Sequence, residues 1–575
     1  QATERAEAGD FAQAAELSQQ LLAQDATNTS ALFLLGRSLT MLGRNNDAIE
    51  ALEKAAKAQP DDIEVFNLLG HLLYHSNRHG EAKDAFSRCL ELNPDHIEAM
   101  RQMANLTLGS DQASALHLFE RALALAPDHD DLLFDYAWAM MYSAGDTDMG
   151  ANLFRRWFEF DSGTADRGSI ALQALNYASN QNPETLARLH REWATRHADP
   201  LGQAGGFREH DFRADRPLRI GFLSADFCRH PVGRFALILC LHIDRDQFEL
   251  FVYANNERED ELKADFEAFA TWRGIFGKKE DEVAAQIGAD RIDILLDLSG
   301  HTKGNRLGVL ALRSAPVQAS VFAYPNTTGM AAIDYRISDP HSDPPGRTES
   351  LWVEPLERMP HTPWLYLPPL EFDTPPGPLP SADGKPFTFG CLNNPAKISG
   401  AAVETWSGIL RACPGSRLLL LVRDDPAHEG LLLIKFDRHG IDAGQLVFAV
   451  KGPEPGYLEM HNRIDLMLDP FPYNGGVTTG DSFWMGVPMP LPRGRRLRVA
   501  AGRAAKQGPR AGGVHREQRG GVRREGCADQ QQPRHAKAAP GEPARDARAL
   551  SADGLRRLRP GIWRDAATLV GQAMR

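Results

Sequence analysis

The stretch Asp469-Pro-Phe-Pro-Tyr-Asn-Gly-Gly-Val-Thr-Thr-Gly-Asp-Ser-Phe-Trp-Met-Gly-Val-Pro488 follows a mostly apolar run, Ile464 to Leu468, that reads as a strand. It sets Gly475, Gly476, Thr478, Thr479 and Gly480 at the opening of a predicted helix. A strand that turns through glycines into a helix start leaves backbone N–H groups unused. It also points the positive end of the helix dipole at one spot. Thr478 and Thr479 add hydroxyl donors, and Asp481 adds a carboxylate able to accept from ribose hydroxyls. The combination suits a nucleotide diphosphate. A Gly-rich turn before an ordinary capped helix has the same spacing, so this stretch alone leaves both readings open.

Upstream of it, strands and helices alternate. Leu218 to Asp226 is a buried-strand pattern, followed by a predicted helix from Gly233 to Ile243 and a strand from Phe248 to Tyr253. A helix is expected over Glu259 to Ala270 and another over Glu280 to Ala289. Strands follow at Ile292 to Leu298, Val317 to Tyr324 and Tyr335 to Ser338. Prolines accumulate from Asp339 to Lys385 and mark a crossing between domains. Alternation then restarts, with strands at Phe387 to Cys391, Arg417 to Val422 and Gln445 to Val450 and a helix from Gly400 to Ala412. Such alternation predicts two parallel sheets, and ligands of open α/β sheets bind at the carboxyl ends of the strands. The unusual residues fall there: Asp226 to Pro231, Ser299 to Lys303, Tyr324 to Gly329, Asn393 to Lys397 and Tyr473 to Asp481.

The first third is periodic. Ala31-Leu-Phe-Leu-Leu-Gly36 recurs as Val65-Phe-Asn-Leu-Leu-Gly70, and Ala48 and Pro60 recur at Ala82 and Pro94, each 34 residues on. Gly in a first helix, Ala in a second and Pro after it resemble the tetratricopeptide repeat. Small residues at Gly36, Gly70, Ala48 and Ala82 let paired helices approach closely. One pair cannot bury its apolar face alone, so neighbours stack into a superhelix with a concave groove for peptides or protein partners.

Composition narrows the class. The 575 residues are 42% hydrophobic, which fits a soluble globular protein of several domains. No apolar run is long enough to span a bilayer, and no signal-peptide pattern opens the chain. The six cysteines are scattered without a CxxC pair, which points to neither a zinc site nor a disulfide framework and suggests a cytoplasmic setting. A net charge of −12 argues against nucleic-acid binding. The Asp-x-Asp triplets at Asp146 and Asp244 sit in surface-like turns, so no metal site is read from them.

One collinear set of motifs is more specific. The repeats are followed by Leu218-Arg-Ile-Gly-Phe-Leu-Ser-Ala-Asp-Phe-Cys-Arg-His-Pro231, then Gly300-His-Thr-Lys-Gly304, Asn393-Asn-Pro-Ala-Lys-Ile398 and Asp469-Pro-Phe-Pro-Tyr-Asn-Gly475. Together they resemble the O-linked N-acetylglucosamine transferase family, bacterial members in particular. The resemblance implies an α-solenoid followed by an α/β GT-B catalytic region with two Rossmann-like domains. It implies inverting transfer of N-acetylglucosamine from UDP-GlcNAc to Ser or Thr hydroxyls, with no cofactor or metal. Its protein or peptide acceptors lie in the repeat groove, and neither nucleic acid nor membrane is a partner.

Residue by residue, the resemblance sets His230 and Pro231 near the sugar and α-phosphate, with Asp226 beside them. It sets Lys397 on the pyrophosphate, where an ammonium offsets leaving-group charge, with Asn394 in the same motif. His190 corresponds to a candidate general base. Asp226, a water relay or the donor's own phosphate are alternatives to it. Gly476, Val477, Thr478, Thr479 and Asp481 form the UDP-binding turn, although the family's histidine there is missing. Tyr457 stands where a histidine often lies near uracil, and either stacks on the base or belongs to the core. An enzyme with another UDP-hexose donor, an N-glycosyltransferase, and a repeat scaffold with an inactive transferase half are the competing functions.

The expected organisation is repeats over 1–160, a helical transition over 161–210, a first Rossmann-like half over 211–340, a Pro-rich crossing over 341–385, and a UDP-binding half over 386–490. Residues 491–575 depart from this grammar. Arg, Gly, Ala and Pro dominate with no sustained apolar period. Such a composition fits a GC-rich gene read out of frame, with a basic disordered tail as the alternative.

Overall fold

The computed structural model describes the chain except for residues 161–162, 203–206, 208–209, 214, 258–259, 361–365, 367–373, 425, 451, 453–455 and 491–575. The expectations for the tail, including an incomplete second half, lie outside the described residues. Two compact units emerge: Gln1–Ala144 with Asn152–Phe160, and Gly145–Ala151 with the chain from residue 161 onward. No helix among the described residues is long and apolar enough to cross a membrane.

The first unit is a row of helix pairs: Thr29–Met41 with Asn45–Ala58, Ile63–His75 with His79–Leu92, and Ile97–Thr107 with Gln112–Leu125. The first helix of each pair starts at a residue whose side chain accepts from a first-turn N–H. These caps, Asn28, Asp62 and His96, recur in register. The expected close approach is present. A Cβ on Gly36 would lie 2.6 Å from Cγ of Leu52, and one on Gly70 2.8 Å from the Phe86 ring. Leu35, Leu52, Leu69, Phe86 and Cys89 join one apolar cluster that runs through successive repeats.

The second unit holds two parallel sheets. Strands β1 (Leu218–Ser224), β2 (Phe248–Ala254), β3 (Thr271–Gly274), β4 (Ile294–Asp297), β5 (Val317–Val321), β6 (Tyr335–Ser338) and β7 (Leu356–Arg358) form a seven-stranded sheet in the order β3-β2-β1-β4-β5-β6-β7. Strands β8 (Thr388–Cys391), β9 (Arg417–Val422), β10 (Leu446–Val450) and β11 (Leu466–Met467) form a four-stranded sheet, β10-β9-β8-β11. Helices such as Pro231–His242 and Gly400–Ala412 cross between consecutive strands. The central strands are buried on both faces, which is why Leu418–Val422 reads as an unbroken apolar run.

Two strands escape the sequence pattern. The helix expected over Glu259 to Ala270 ends at Glu267, and the chain turns into β3. Strand β7 lies inside the Pro-rich crossing. Both are edge strands of three or four residues and half-exposed, so neither carries an apolar signal.

The strand orders place the crevices. In each sheet the order reverses beside its first strand, between β1 and β4 and between β8 and β11. Ligands of open α/β sheets bind outside the carboxyl ends at such a switch point. The loops that leave those four strands carry Asp226 to Pro231, Ser299 to Lys303, Asn393 to Lys397 and Tyr473 to Asp481.

Candidate active site

Lys397 ends a short turn, Pro395–Lys397, just after β8. Its Nζ donates to the Asn474 carbonyl at 3.2 Å and to Asn393 Oδ1 at 3.4 Å. It also stands 4.6 Å from the centroid of the Tyr473 ring. Burial pushes the Lys397 amine down to about 8, with the negative charge of Asp469 acting in the opposite direction. Asp469 is itself buried. Its Oδ1 accepts from the Gly475 N–H at 2.8 Å and its Oδ2 from Asn474 Nδ2 at 2.9 Å. The carboxylate therefore shapes the glycine turn and, through Asn474, the carbonyl that receives Lys397.

These bonds fix both amide orientations and leave polar atoms over. Oδ1 of Asn393 faces an ammonium, and among the described residues its Nδ2 has no hydrogen-bond partner. Nδ2 of Asn474 faces a carboxylate and the Pro470 carbonyl, and its Oδ1 likewise has none among the described residues. Both side chains are more than nine-tenths buried. Beside them the helix Val477–Trp484 starts at Gly476 without a side-chain cap. Among the described residues the N–H groups of Gly476, Val477 and Thr478 donate to no partner within the chain. Unused donors beside a half-buried amine suit an anion.

The other residues named for this turn divide. Thr478 is half-buried at its mouth. Thr479 is buried, and its hydroxyl donates back to the Gly475 carbonyl at 2.9 Å. Asp481 is buried, and its Oδ1 accepts from the Tyr366 hydroxyl at 2.7 Å. Asn394 is exposed and caps its own turn, accepting from the Ala396 N–H at 3.1 Å. Tyr457 lies in an apolar cluster with Leu419, Ile464 and Met485, its ring edge-on to His461 at 5.4 Å.

The seven-stranded half packs against the same helix and carries a second polar group. Val477 packs against the core of the seven-stranded half, and Tyr473 meets Tyr177 at 4.9 Å between ring centroids. His230 caps the Pro231–His242 helix. Its Nδ1 lies 3.5 Å from Asp226 Oδ2, and the imidazole is 45% exposed while the carboxylate is 19% exposed. The loop is tight enough to demand glycine: a Cβ on Gly233 would come within 2.4 Å of the Cys228 carbonyl and 2.6 Å of the Asp226 carbonyl. Nδ1 is also the atom that caps the helix, accepting from the Val232 N–H at 3.4 Å. A solvent-facing imidazole beside a carboxylate can take up a proton, and the carboxylate stabilises the imidazolium that forms.

His190 sits deeper. It is fully buried on the Pro183–Trp193 helix, with Nδ1 2.6 Å from the Leu186 carbonyl and Nε2 2.8 Å from the Tyr324 hydroxyl. A carbonyl accepts only, so Nδ1 carries the proton and Tyr324 donates to Nε2. Asn176 Nδ2 donates to that same hydroxyl at 2.8 Å. His301 beside it is equally buried, with Nε2 2.9 Å from the Thr328 carbonyl and Nδ1 2.9 Å from Ser169 Oγ. Burial pushes His301 down to about 4. Asp297 at the end of β4 holds the Ser299 and Gly300 N–H groups at 3.0 and 2.9 Å, and burial raises it to about 6.

Residues 197–366 match the glycosyl transferase family 41 model, and residues 5–72 and 63–96 match tetratricopeptide repeat models. A probable UDP-N-acetylglucosamine–peptide N-acetylglucosaminyltransferase SPINDLY from Oryza sativa subsp. japonica is 33% identical over 347 residues, 58% of this chain and 37% of the rice protein. The SPINDLY protein of Hordeum vulgare is 34% identical over 339 residues, 57% of this chain and 36% of its own. An O-GlcNAc transferase mutant from Thermobaculum terrenum superposes with a TM-score of 0.64 and 28% identity, covering 89% of this chain and 92% of that one. The chain is a homologue of the family 41 glycosyltransferases. The matched segments span little more than a third of the plant proteins' length.

The family 41 match stops at residue 366, so Lys397 and the Val477–Trp484 helix lie beyond it. The polar frame around Lys397 is what sequence reading passes over. Asp469 and Asn474 bracket the glycine turn, and an acidic residue directly after a buried strand was the available signal. Nothing local marks Tyr366, because its partner is 115 residues away.

Proposed function

We propose that the chain is an inverting, metal-independent glycosyltransferase. It moves N-acetylglucosamine from UDP-GlcNAc to Ser or Thr hydroxyls of protein acceptors engaged by the repeats. One observation carries the reading: the Lys397 amine and Asn393 lie against the glycine turn, where Asn393 Nδ2 and the N–H groups of Gly476, Val477 and Thr478 make no hydrogen bond among the described residues.

A diphosphate fills that place. Its β-phosphate gains charge as the C1–oxygen bond to the sugar breaks, and a positioned ammonium with backbone donors stabilises that charge in the transition state. Lys397 thus takes the part a divalent cation plays in other transferases. On the other side of the sugar, the acceptor oxygen bonds to C1 as its proton leaves. His230, backed by Asp226, is the assigned proton acceptor. His190 accepts from the Tyr324 hydroxyl and fixes that ring in the loop after β5.

UDP release measured against a panel of UDP-sugars, with a serine- and threonine-containing acceptor and with EDTA present, tests the proposal. Turnover with UDP-GlcNAc in EDTA is the expected result. Turnover only with another hexose donor moves the reading to that donor. Loss in EDTA with recovery in Mn²⁺ overturns the metal-free mechanism, and UDP binding without turnover marks an inactive scaffold.

A further inference from the structure

Tyr366 belongs to neither sheet. It comes from the crossing between the two halves, yet it is fitted to the fourth and fifth residues of the Val477–Trp484 helix. Its hydroxyl donates to Asp481 Oδ1 at 2.7 Å. A Cβ on Gly480 would stand 2.2 Å from Cδ2 of the Tyr366 ring, so the ring occupies the space a side chain at 480 would need. Asp481 is 4% exposed. A carboxylate taken so far out of water has to be held by donors. Burial, followed by the neighbouring Asp481 charge, raises the Tyr366 hydroxyl, which keeps it a donor at working pH.

The placement on the helix gives this contact a use. Asp481 and Val477 are four residues apart and share a helix face. Four residues rise about 6 Å, of the order of the separation between a nucleotide's diphosphate and its ribose. A diphosphate on the N–H groups of residues 476–478 therefore brings its ribose beside Asp481. We propose that Tyr366 is a positioning residue for the donor nucleotide: its hydroxyl orients the Asp481 carboxylate toward the ribose hydroxyls. The proposal rests on the UDP-sugar reading above and adds a residue outside both sheets to it.

The test uses the full chain, with UDP and 2′,3′-dideoxy-UDP as calorimetric ligands and Y366F, D481N and their double variant. Y366F is expected to weaken UDP about tenfold, the size of one lost hydrogen bond to a charged group. The donor KM rises by the same factor while kcat stays within about twofold, a split that a merely structural tyrosine does not produce. Y366F has no further effect in the D481N background, and wild type and Y366F bind the dideoxy nucleotide equally. G480A, which crowds the ring and leaves the hydroxyl in place, moves UDP affinity in the same direction. Unchanged UDP affinity in Y366F overturns the proposal. An equal loss for the dideoxy nucleotide, or additivity with D481N, does the same. If wild type fails to bind UDP, the parent reading falls and takes this one with it; normal binding with an indifferent Y366F removes this one alone.

Discussion

The two halves of the α/β unit carry their polar residues in opposite ways. At the carboxyl end of the seven-stranded sheet, His190, His301 and Asp297 are buried and engaged by the chain itself. At the corresponding end of the four-stranded sheet, Asn393 Nδ2, Asn474 Oδ1 and the first-turn N–H groups of the Val477–Trp484 helix stand unused around a lysine whose charge is disfavoured by burial. A self-satisfied network stabilises the fold; a set of orphans costs stability until a ligand completes it. The difference separates frame from binding surface without reference to any relative.

The largest effect that sharpens this contrast is expected from Lys397. K397A should lower turnover on the order of 10³-fold, the upper range for removing one charge-stabilising donor. Its melting temperature should not fall, because the amine is held against its own hydration. Wild-type turnover in K397A removes the central support of the mechanism, and a collapse in stability makes the lysine part of the frame.

H301A should behave in reverse. It strands the Ser169 hydroxyl and the Thr328 carbonyl and opens a cavity, a loss of about 3 kcal/mol of unfolding free energy in denaturant titration. The folded pKa of His301 lies near 4, below its ordinary 6.5, so the unfolded chain binds the extra proton between those values. Stability contributed by neutral His301 is therefore complete above about 6.5 and is lost as pH falls toward about 4. H301A should flatten that limb. A variant as stable as wild type breaks the contrast from the other side.

H230A should lower kcat on the order of 10²-fold, the range for losing a general base. An effect confined to the acceptor KM moves His230 from the reacting atoms to the acceptor groove.

How far sequence carries the reading depends on the range of the contacts. The repeats are legible because each helix pair meets only its neighbours, so Gly36 against Leu52 recurs as Gly70 against Phe86. The central strands are legible because burial on both faces makes them apolar throughout. The edge strands β3 and β7 are not, since half-exposed segments of three or four residues carry no period. Within the site, Lys397 and the glycine turn stand out in local motifs. The Asp469–Asn474–Lys397 frame does not, because it closes over 77 residues, nor does Tyr366 on Asp481. Tyr457 shows the reverse limit: its position admits a stacking role, and its ring lies in the core cluster.

The smallest effect is the one that ties binding to proton uptake. Lys397 lies near 8 in the folded chain and at 10.5 in the ordinary state, with burial as the cause. Between those values the unfolded chain binds more protons, so Lys397 makes stability rise with pH across that window. A bound diphosphate reverses the local balance, because it favours the ammonium. Above about pH 8 the free protein must then take up a proton as UDP binds, and UDP affinity should fall by up to about tenfold per pH unit. The terminal phosphate of UDP has a second pKa of about 6 and is already fully ionised there, so it does not supply the slope. Calorimetry at pH 8.5 in two buffers of different ionisation enthalpy reads the proton directly, and K397M should abolish both the uptake and the slope. Proton-neutral UDP binding by the wild type would place the diphosphate away from Lys397 and leave the orphaned donors of the smaller sheet to another ligand.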